Sequence, residues 1–127
     1  MKIYLAGGMR GNWQQKVIDK VPGHQYLNPK DNSFDLGWKL NEFGTWDMAH
    51  VRMSDLVFGY MERTNPGGTG MACEMGYGFG LGKTVILCLE KDNETQKDRY
   101  LEFMKKVAHI TFDDFIMSID YLSTFNK

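Results

Sequence analysis

Apolar runs alternate along this chain with segments that repeat apolar residues at helical spacing. Four runs are rich in β-branched, aromatic or other large apolar residues, and each predicts a strand: "KIYLA", "HQYLN", "DLVFGYM" and "TVILCL". Helical spacing predicts helices at residues 12–21, 42–53 and 70–81. Because strand and helix alternate, the pattern predicts an α/β fold with a parallel sheet flanked by helices.

The last third of the chain continues this alternation. After a charged turn, "EKDNE", the pattern predicts a helix near residues 95–107 and a short strand at "HIT". A final helix is predicted to open at Thr111, with Asp114 three residues later as an approximate capping box. The sheet is therefore expected to have about five strands.

Composition favours a small ligand over a polymer. The chain has 127 residues, 43% of them hydrophobic, which predicts a single domain over residues 1–127. The net charge is -1 and no basic cluster exceeds the pair Lys105 and Lys106, which argues against a nucleic-acid partner. The opening "MKIYLAG" is too short for a membrane span and lacks a cleavage pattern, so we expect a cytoplasmic protein without a membrane partner.

The cysteines and histidines do not show the spacing of a metal site. Cys73 and Cys88 lack a CxxC pattern and lie in apolar segments, which favours reduced core thiols. His24, His50 and His109 also lack ligand spacing and are expected to be surface or core residues. The sequence therefore predicts no metal.

The stretch "YGFGLGKTVIL" ends in Gly-Lys-Thr but does not predict a P-loop. Tyr77 stands where a P-loop needs its first glycine, and the apolar run follows Lys83 instead of preceding it. Gly76, Gly78, Gly80 and Gly82 alternate through the predicted helix, each at a cost of roughly 1 kcal/mol relative to alanine. Close packing of this helix against the sheet or against another subunit would explain them.

Parallel sheets bind ligands beyond the carboxyl ends of their strands, so the segments after the first and third strands are candidates. In "GGMRGNW", Gly7 and Gly8 allow close approach of the backbone, and Arg10 either complements an anion or lies exposed on a plain turn. In "MERTNPGGTGMACEMGYG", Glu74 either stabilises the start of a helix or faces a site.

Two aspartates precede the third strand. Asp47 falls inside a predicted helix among apolar neighbours, and Asp55 falls at the edge of the strand. Aspartate is a poor helix former, so the Asp47 carboxylate is expected to face either solvent or a site, and the sequence favours neither.

These pieces together resemble the nucleoside 2-deoxyribosyltransferase family, including the related deoxynucleoside 5′-monophosphate N-glycosidases. The resemblance rests on "KIYLAGGM", on the Asp47 and Asp55 pair before a strand, and on "TGMACEMGYGFGLGKTVIL", and it spans residues 2–89. It implies a flavodoxin-like, Rossmann-like sheet and cleavage of the N-glycosidic bond of nucleosides or nucleotides.

The resemblance also implies residue roles. Glu74 would be the nucleophile, Tyr4 would hydrogen-bond and orient it, and Asp47 would contact the sugar or base and assist protonation of the leaving base. The substrate-binding residues implied are Gly7, Gly8, Met9, Arg10, Asn65, Gly68 and Gly70. No metal or organic cofactor is implied.

Several motifs depart from those of the classical transferases. "TNPGG" replaces an acidic residue before the glycine-rich loop, Ser33 replaces a base-binding glutamine, and Asn126 is the candidate for an asparagine that reaches a neighbouring subunit. "GGMRG" is similar instead to the phosphate-binding Gly-Ser-Ile-Arg-Gly of the 5′-monophosphate N-glycosidases.

Three functions are therefore expected, in decreasing order of preference. The first is a transferase that moves the sugar of a nucleoside to another base through a glycosyl-glutamate intermediate. The alternatives are a nucleoside 5′-monophosphate N-glycosidase, which is a hydrolase, and a non-catalytic nucleotide-binding module on the same fold. A homo-oligomer, dimer or higher, is also expected, because the final helix is broadly apolar and the family's sites borrow residues from neighbouring subunits.

Overall fold

The structure is a computed structural model that describes residues 1–31, 37–63, 68–90 and 102–125. Five strands lie in these ranges: β1 (Lys2–Gly7), β2 (Gln25–Leu27), β3 (Leu56–Met61), β4 (Thr84–Leu89) and β5 (Ile110–Phe112). The α-helices of the described residues are α1 (Trp13–Lys20), α2 (Leu40–Met53), α3 (Thr69–Gly80) and α4 (Phe115–Ser123). Short 3-10 helices cover Pro29–Asp31 and Glu102–Val107.

The strands form one parallel sheet in the order β2-β1-β3-β4-β5. This is the flavodoxin-like order, so the predicted fold class is confirmed. The strand order reverses between β1 and β3, which pair directly from Ile3↔Leu56 to Gly7↔Tyr60. The crevice for a ligand is therefore expected just beyond Gly7 and Met61, where these two strands end.

Each face of the sheet is covered by helices, which explains why the strands are continuous apolar runs. On one face, Ile3 and Leu5 of β1 belong to a core that includes Val17 of α1 and Leu122 of α4. On the other face, Tyr4 and Ala6 of β1 pack with residues of α2 and α3, among them Val51, Met71 and Met75. The alternation of side chains along β1 thus directs Tyr4 to the α2 and α3 side.

The glycines of α3 do not share one explanation. A Cβ on Gly78 would lie 2.8 Å from Cγ2 of Val57, so this position does need a thin side chain for packing against β3. Gly80 has no atom within 4 Å of an added Cβ. Gly82 lies beyond the helix with φ at +81°, where its N–H bonds to Phe79 O and the next N–H, of Lys83, bonds to Gly78 O. This is a Schellman motif, which ends α3.

Two predictions for the last third of the chain need correction. The predicted opening of the final helix at Thr111 is wrong, because Thr111 lies within β5, and Asp114 itself caps α4 by accepting from Met117 N at 2.9 Å. Within the predicted helix near residues 95–107, the described part is the 3-10 helix Glu102–Val107, and residues 95–101 lie outside the described ranges.

Among the described residues, no helix has the length and apolar character needed to cross a membrane.

Candidate active site

A buried carboxyl on α3 meets a buried phenol on β1. The Oη of Tyr4 donates a hydrogen bond to Oε2 of Glu74, although the two residues are 70 positions apart in the chain. Tyr4 is fully buried and Glu74 is 8% exposed. Glu74 lies beyond the first turn of α3 and accepts its hydrogen bond from a residue of the sheet, so it does not serve to stabilise the start of the helix.

Burial governs the protonation of this pair. It raises the pKa of Glu74 to about 7, the hydrogen bond from Tyr4 opposes this rise, and the charge of Asp47 adds to it. Burial also raises the pKa of Tyr4, far above the ordinary value of a phenol, and the charge of Glu74 adds to this rise. Tyr4 therefore stays neutral and acts as a hydrogen-bond donor, and its bond occupies only one of the two oxygens of Glu74.

Asp47 approaches the same place from α2. It is half-buried, and its Oδ1 is buried without a hydrogen-bond partner among the described residues. Burial raises the pKa of Asp47 to about 6. Of the two alternatives left by the sequence, the geometry favours a carboxyl that faces a site over one that faces solvent.

Asp55 has a different task. Its Oδ2 accepts a hydrogen bond from the backbone N of Lys2 at 2.7 Å, so it joins the start of β1 to the start of β3. This contact lies at the amino ends of the strands, opposite the crevice. Of the two aspartates, Asp55 is therefore structural and Asp47 faces the site.

A cleft of about 270 Å³ opens above these carboxyls, at the carboxyl ends of β1 and β3. It is lined by the loop after β1, by α2 and by the start of α3: Gly7, Gly8, Met9, Phe43, Asp47, Gly68, Gly70, Met71 and Glu74. Its size is close to the lower end of the range for ligand pockets, about 300–1,000 Å³. The structure therefore brings both carboxyls and the glycines of two loops around one cleft.

Two lining residues, Phe43 and Met71, were not predicted from the sequence. Phe43 precedes Asp47 by one helical turn, and Met71 precedes Glu74 by nearly one turn. Residues at these spacings share a helix face, so the helical period around the two carboxylates was the signal that could have found them.

The loop after β1 is fixed from the side of α1. The carbonyl of Gly8 accepts from Nε1 of Trp13 at 2.9 Å and from Nε2 of Gln14 at 3.0 Å. A Cβ on Gly7 would lie 2.4 Å from the carbonyl oxygen of Tyr60 and 2.8 Å from the Trp13 ring. Gly7 is therefore required for the close approach of this loop to β3 and α1.

Comparison with known families identifies the family of this chain. The family model described as "Nucleoside 2-deoxyribosyltransferase like" matches residues 1–92, which include Tyr4, Asp47 and Glu74. The chain belongs to this family. The resemblance inferred from the sequence is thereby confirmed. A comparison with curated proteins gave no match.

One of the solved structures with the same fold is the CMP N-glycosidase BcmB of Clostridium botulinum. It is 20% identical, the match covers 98% of this chain and 99% of that chain, and the TM-score is 0.66. At this identity the likeness shows a shared fold. This chain and that N-glycosidase therefore share one architecture over nearly their whole length.

Of the substrate-binding residues implied by the family resemblance, one lies away from the cleft and one lies outside the described residues. Arg10 is exposed and is not among the lining residues. Asn65 lies outside the described residues, as do Ser33 and Asn126. The remaining ones, Gly7, Gly8, Met9, Gly68 and Gly70, all line the cleft.

The described part of the chain has no group of three or more His, Cys, Asp or Glu residues placed to hold a metal ion. Cys88 is buried in β4, and burial raises the pKa of its thiol to about 12, while Cys73 lies exposed on α3. Both thiols are free and neither is among the residues that line the cleft. The prediction of a core thiol is confirmed for Cys88 and wrong for Cys73, whose place on the outer side of α3 leaves it exposed.

Proposed function

We propose that this protein cleaves the N-glycosidic bond of nucleosides or nucleotides with Glu74 as the nucleophile. The observation that carries the proposal is the buried Glu74 carboxyl, held by Tyr4 and open to a cleft that Asp47 shares. A carboxylate suits the oxocarbenium-like transition state of glycosyl transfer, and a covalent intermediate divides one difficult step into two. Membership in the nucleoside 2-deoxyribosyltransferase-like family supports the same chemistry.

In the first step, a carboxylate oxygen of Glu74 bonds to the anomeric carbon as the bond from that carbon to the base nitrogen breaks. The electron pair stays on the base, and Asp47 gives its proton to the base. In the second step, water or a nitrogen of a second base attacks the anomeric carbon, its proton passes to Asp47, and Glu74 leaves as a carboxylate. Tyr4 keeps the Glu74 carboxylate oriented throughout.

The proposed roles require an ionised Glu74 and a protonated Asp47 when the bond to the base breaks. With pKa values raised to about 7 and about 6, Glu74 and Asp47 together hold about one proton at a pH midway between these values and less than one at pH 7. In the free site burial leaves that proton on Glu74 more than on Asp47. Positive charge that develops on the sugar favours the ionised form of Glu74, so the proton is available to the base through Asp47.

The specific reaction that we propose is transfer of a 2-deoxyribosyl group from one base to another. The second candidate is hydrolysis of a nucleoside 5′-monophosphate, which the loop Gly7–Met9 favours because three consecutive backbone positions line the cleft and could face a phosphate. A non-catalytic nucleotide-binding module is the third. It would gain nothing from a buried carboxyl at the cleft, since burial of an ionisable group destabilises the fold.

A direct assay separates these candidates. Purified protein is incubated with each deoxynucleoside and each deoxynucleoside 5′-monophosphate, with and without a second base, and the products are resolved by chromatography. Transfer gives a new nucleoside only when the second base is present, whereas hydrolysis gives a free base without it. Glu74→Ala should abolish both, and a glycosyl adduct should be found on Glu74 by mass spectrometry. Full turnover by a folded Glu74→Ala would contradict the mechanism.

Arg10 tests whether the substrate carries a phosphate. If its exposed guanidinium closes on a 5′-phosphate, Arg10→Ala should remove a charge-assisted contact of about 1.5 to 3 kcal/mol and weaken the preference for nucleotides. Lys16→Ala removes a positive charge from the exposed side of α1 and serves as the control. Equal nucleotide preference in the wild type and in both variants would exclude the phosphate role of Arg10.

We also propose a homo-oligomer, dimer or higher, whose sites are completed across subunits. Large apolar side chains that are exposed in the described chain support this, among them Leu40, Phe103, Ile116 and Met117. Light scattering coupled to size-exclusion chromatography measures the state directly. A fully active monomer at the assay concentration would overturn this proposal.

A further inference from the structure

Gly59 lies inside β3, under the part of α3 that carries Glu74. The strand is buried along its whole length, and Gly59 has no positive φ, so its backbone conformation does not require glycine. Glycine inside a strand is unfavourable and often marks a place where another group approaches closely. The reason for Gly59 is therefore sought in what packs on it.

Two methionines of α3 pack on Gly59. A Cβ at this position would lie 2.9 Å from Cε of Met71 and 2.9 Å from Sδ of Met75. Both distances are shorter than the contact distance of about 3.5–4.0 Å at which carbon atoms pack. Gly59 therefore leaves a shallow seat in the sheet for the ends of two long side chains. Its neighbour on β1 is Ala6, another small residue of the same core.

The two methionines differ in the space that is open to them. Met75 is fully buried, whereas Met71 is 5% exposed and lines the cleft. A methionine side chain is unbranched and its end moves at low cost, so the side chain is expected to yield before the helix does. If a Cβ filled the seat, the end of Met71 would therefore move into the cleft.

We propose that Gly59 is a positioning residue that keeps the cleft open, because it seats the end of Met71 against the sheet and out of the space that the substrate occupies. Met71 precedes Glu74 by nearly one helical turn, so the two side chains share a face of α3. The cleft measures only about 270 Å³, so a displaced methionine would take space beside the nucleophile. The inference rests on the proposed function, because it concerns how the substrate fits that same site.

The first measurement does not depend on catalysis. Hydrogen peroxide oxidises methionine to the sulfoxide at a rate that follows exposure, and peptide mass spectrometry measures each methionine separately. In the wild type, Met71 and Met75 should react slowly, whereas Met53, which is 50% exposed, should react fast. Gly59→Ala should raise the oxidation rate of Met71 by about fivefold or more and leave that of Met75 low.

The second measurement is kinetic. Gly59→Ala should raise KM by about tenfold for every substrate and change kcat by less than about threefold, because the cleft is narrowed while Tyr4 and Glu74 keep their hydrogen bond. For the same reason the acid limb of the kcat/KM–pH profile should not move. Gly78→Ala is the matched control. Its Cβ would also meet a β3 side chain, 2.8 Å from Cγ2 of Val57, but Gly78 does not line the cleft, so this variant should lose stability without a rise in KM.

A double-mutant cycle identifies the side chain that is displaced. In a Met71→Ala background no long side chain remains to enter the cleft, so the addition of Gly59→Ala should raise KM by less than about twofold. If Gly59→Ala alone does not fold, the pair should fold, since one of the two close contacts has been removed. The KM of the pair should then match that of Met71→Ala.

Each outcome decides. An unchanged oxidation rate of Met71 in folded Gly59→Ala would overturn the inference, because Met71 would still be in its seat. Faster oxidation of Met75 or a shifted acid limb would also overturn it, since either would mean that α3 itself has moved. So would a tenfold rise in KM that persists in the Met71→Ala background, or a pair that does not fold. If the wild type cleaves no substrate but Gly59→Ala exposes Met71 to oxidation, the inference stands and the proposed function fails.

Discussion

Replacing Glu74 with glutamine should stabilise the protein above pH 7 while it abolishes turnover. Burial raises the pKa of Glu74 from the ordinary 4.5 to about 7, so between these values the folded protein binds a proton that the unfolded chain has released. The free energy of unfolding therefore falls as the pH rises through this window, and the loss is complete above about 7. Glutamine resembles the neutral acid and keeps an oxygen for the hydrogen bond from Tyr4. The variant therefore does not lose stability as the pH rises through this window.

The magnitude follows from the two pKa values. The gap of 2.5 between 4.5 and 7 corresponds to roughly 3 kcal/mol, at about 1.36 kcal/mol for each tenfold change in proton affinity. Glu74 is 8% exposed, so solvent screens little of this cost. For a chain of this length, roughly 3 kcal/mol raises Tm by on the order of 10 °C.

The assay is chemical denaturation of both proteins at several pH values from 4 to 9. We expect nearly equal stability at the acid end and a difference that grows to roughly 3 kcal/mol above pH 7, in favour of Glu74→Gln. Asp120→Asn, which neutralises an exposed carboxylate on α4, should follow the wild type across the range. A difference that does not vary with pH would refute the reasoning, because it would mean that Glu74 binds its proton no more tightly in the folded protein than in the unfolded chain.

Three further predictions concern the same site and its support. Tyr4→Phe should lower kcat by about 10- to 100-fold and move the acid limb of the kcat/KM–pH profile to higher pH, because the hydrogen bond from Tyr4 lowers the pKa of Glu74 and its loss raises that pKa; an unmoved limb would contradict this. Asp47→Asn should move that limb to lower pH and lower kcat far less for 7-methylated purine nucleosides, whose cationic base leaves without a proton; equal losses for both substrates would argue against Asp47 as the acid. Gly78→Ala should destabilise the protein by about 1–3 kcal/mol in thermal unfolding, whereas Gly80→Ala should be neutral or slightly stabilising; the reverse order would show that α3 can shift on the sheet.

The regular elements could be predicted where local and long-range preferences agree. After its first residue, β4 is apolar throughout because both of its faces are buried, and its bounds, Thr84–Leu89, are those of the predicted run. Thr111 shows the opposite case. Its capping signal is local, but the pairing of Leu87 with Thr111 in the sheet decides its conformation, and Asp114 becomes the cap instead. A single sequence does not contain that pairing explicitly.

Some residues of the candidate site could likewise be predicted from the sequence, and others could not. The carboxylates Asp47 and Glu74 stand out in the sequence because a charged side chain among apolar neighbours is costly to bury. Phe43 has only its helical spacing from Asp47 to mark it, because its place at the cleft depends on how α2 packs beside α3. Gln14 was also missed, since its hydrogen bond to the Gly8 carbonyl depends on the turn between them and on one side-chain conformation.

The bond between Tyr4 and Glu74 ties the first strand of the chain to a helix 70 positions later. Contacts of such long sequence separation form only after the intervening segment has been closed into a loop, which makes them slow to form. During refolding, catalytic power should thus return with the final docking of α3 on β1 and not with the earlier gain of helical signal. The recovery of turnover would then report when the tertiary structure is complete, without a separate spectroscopic label.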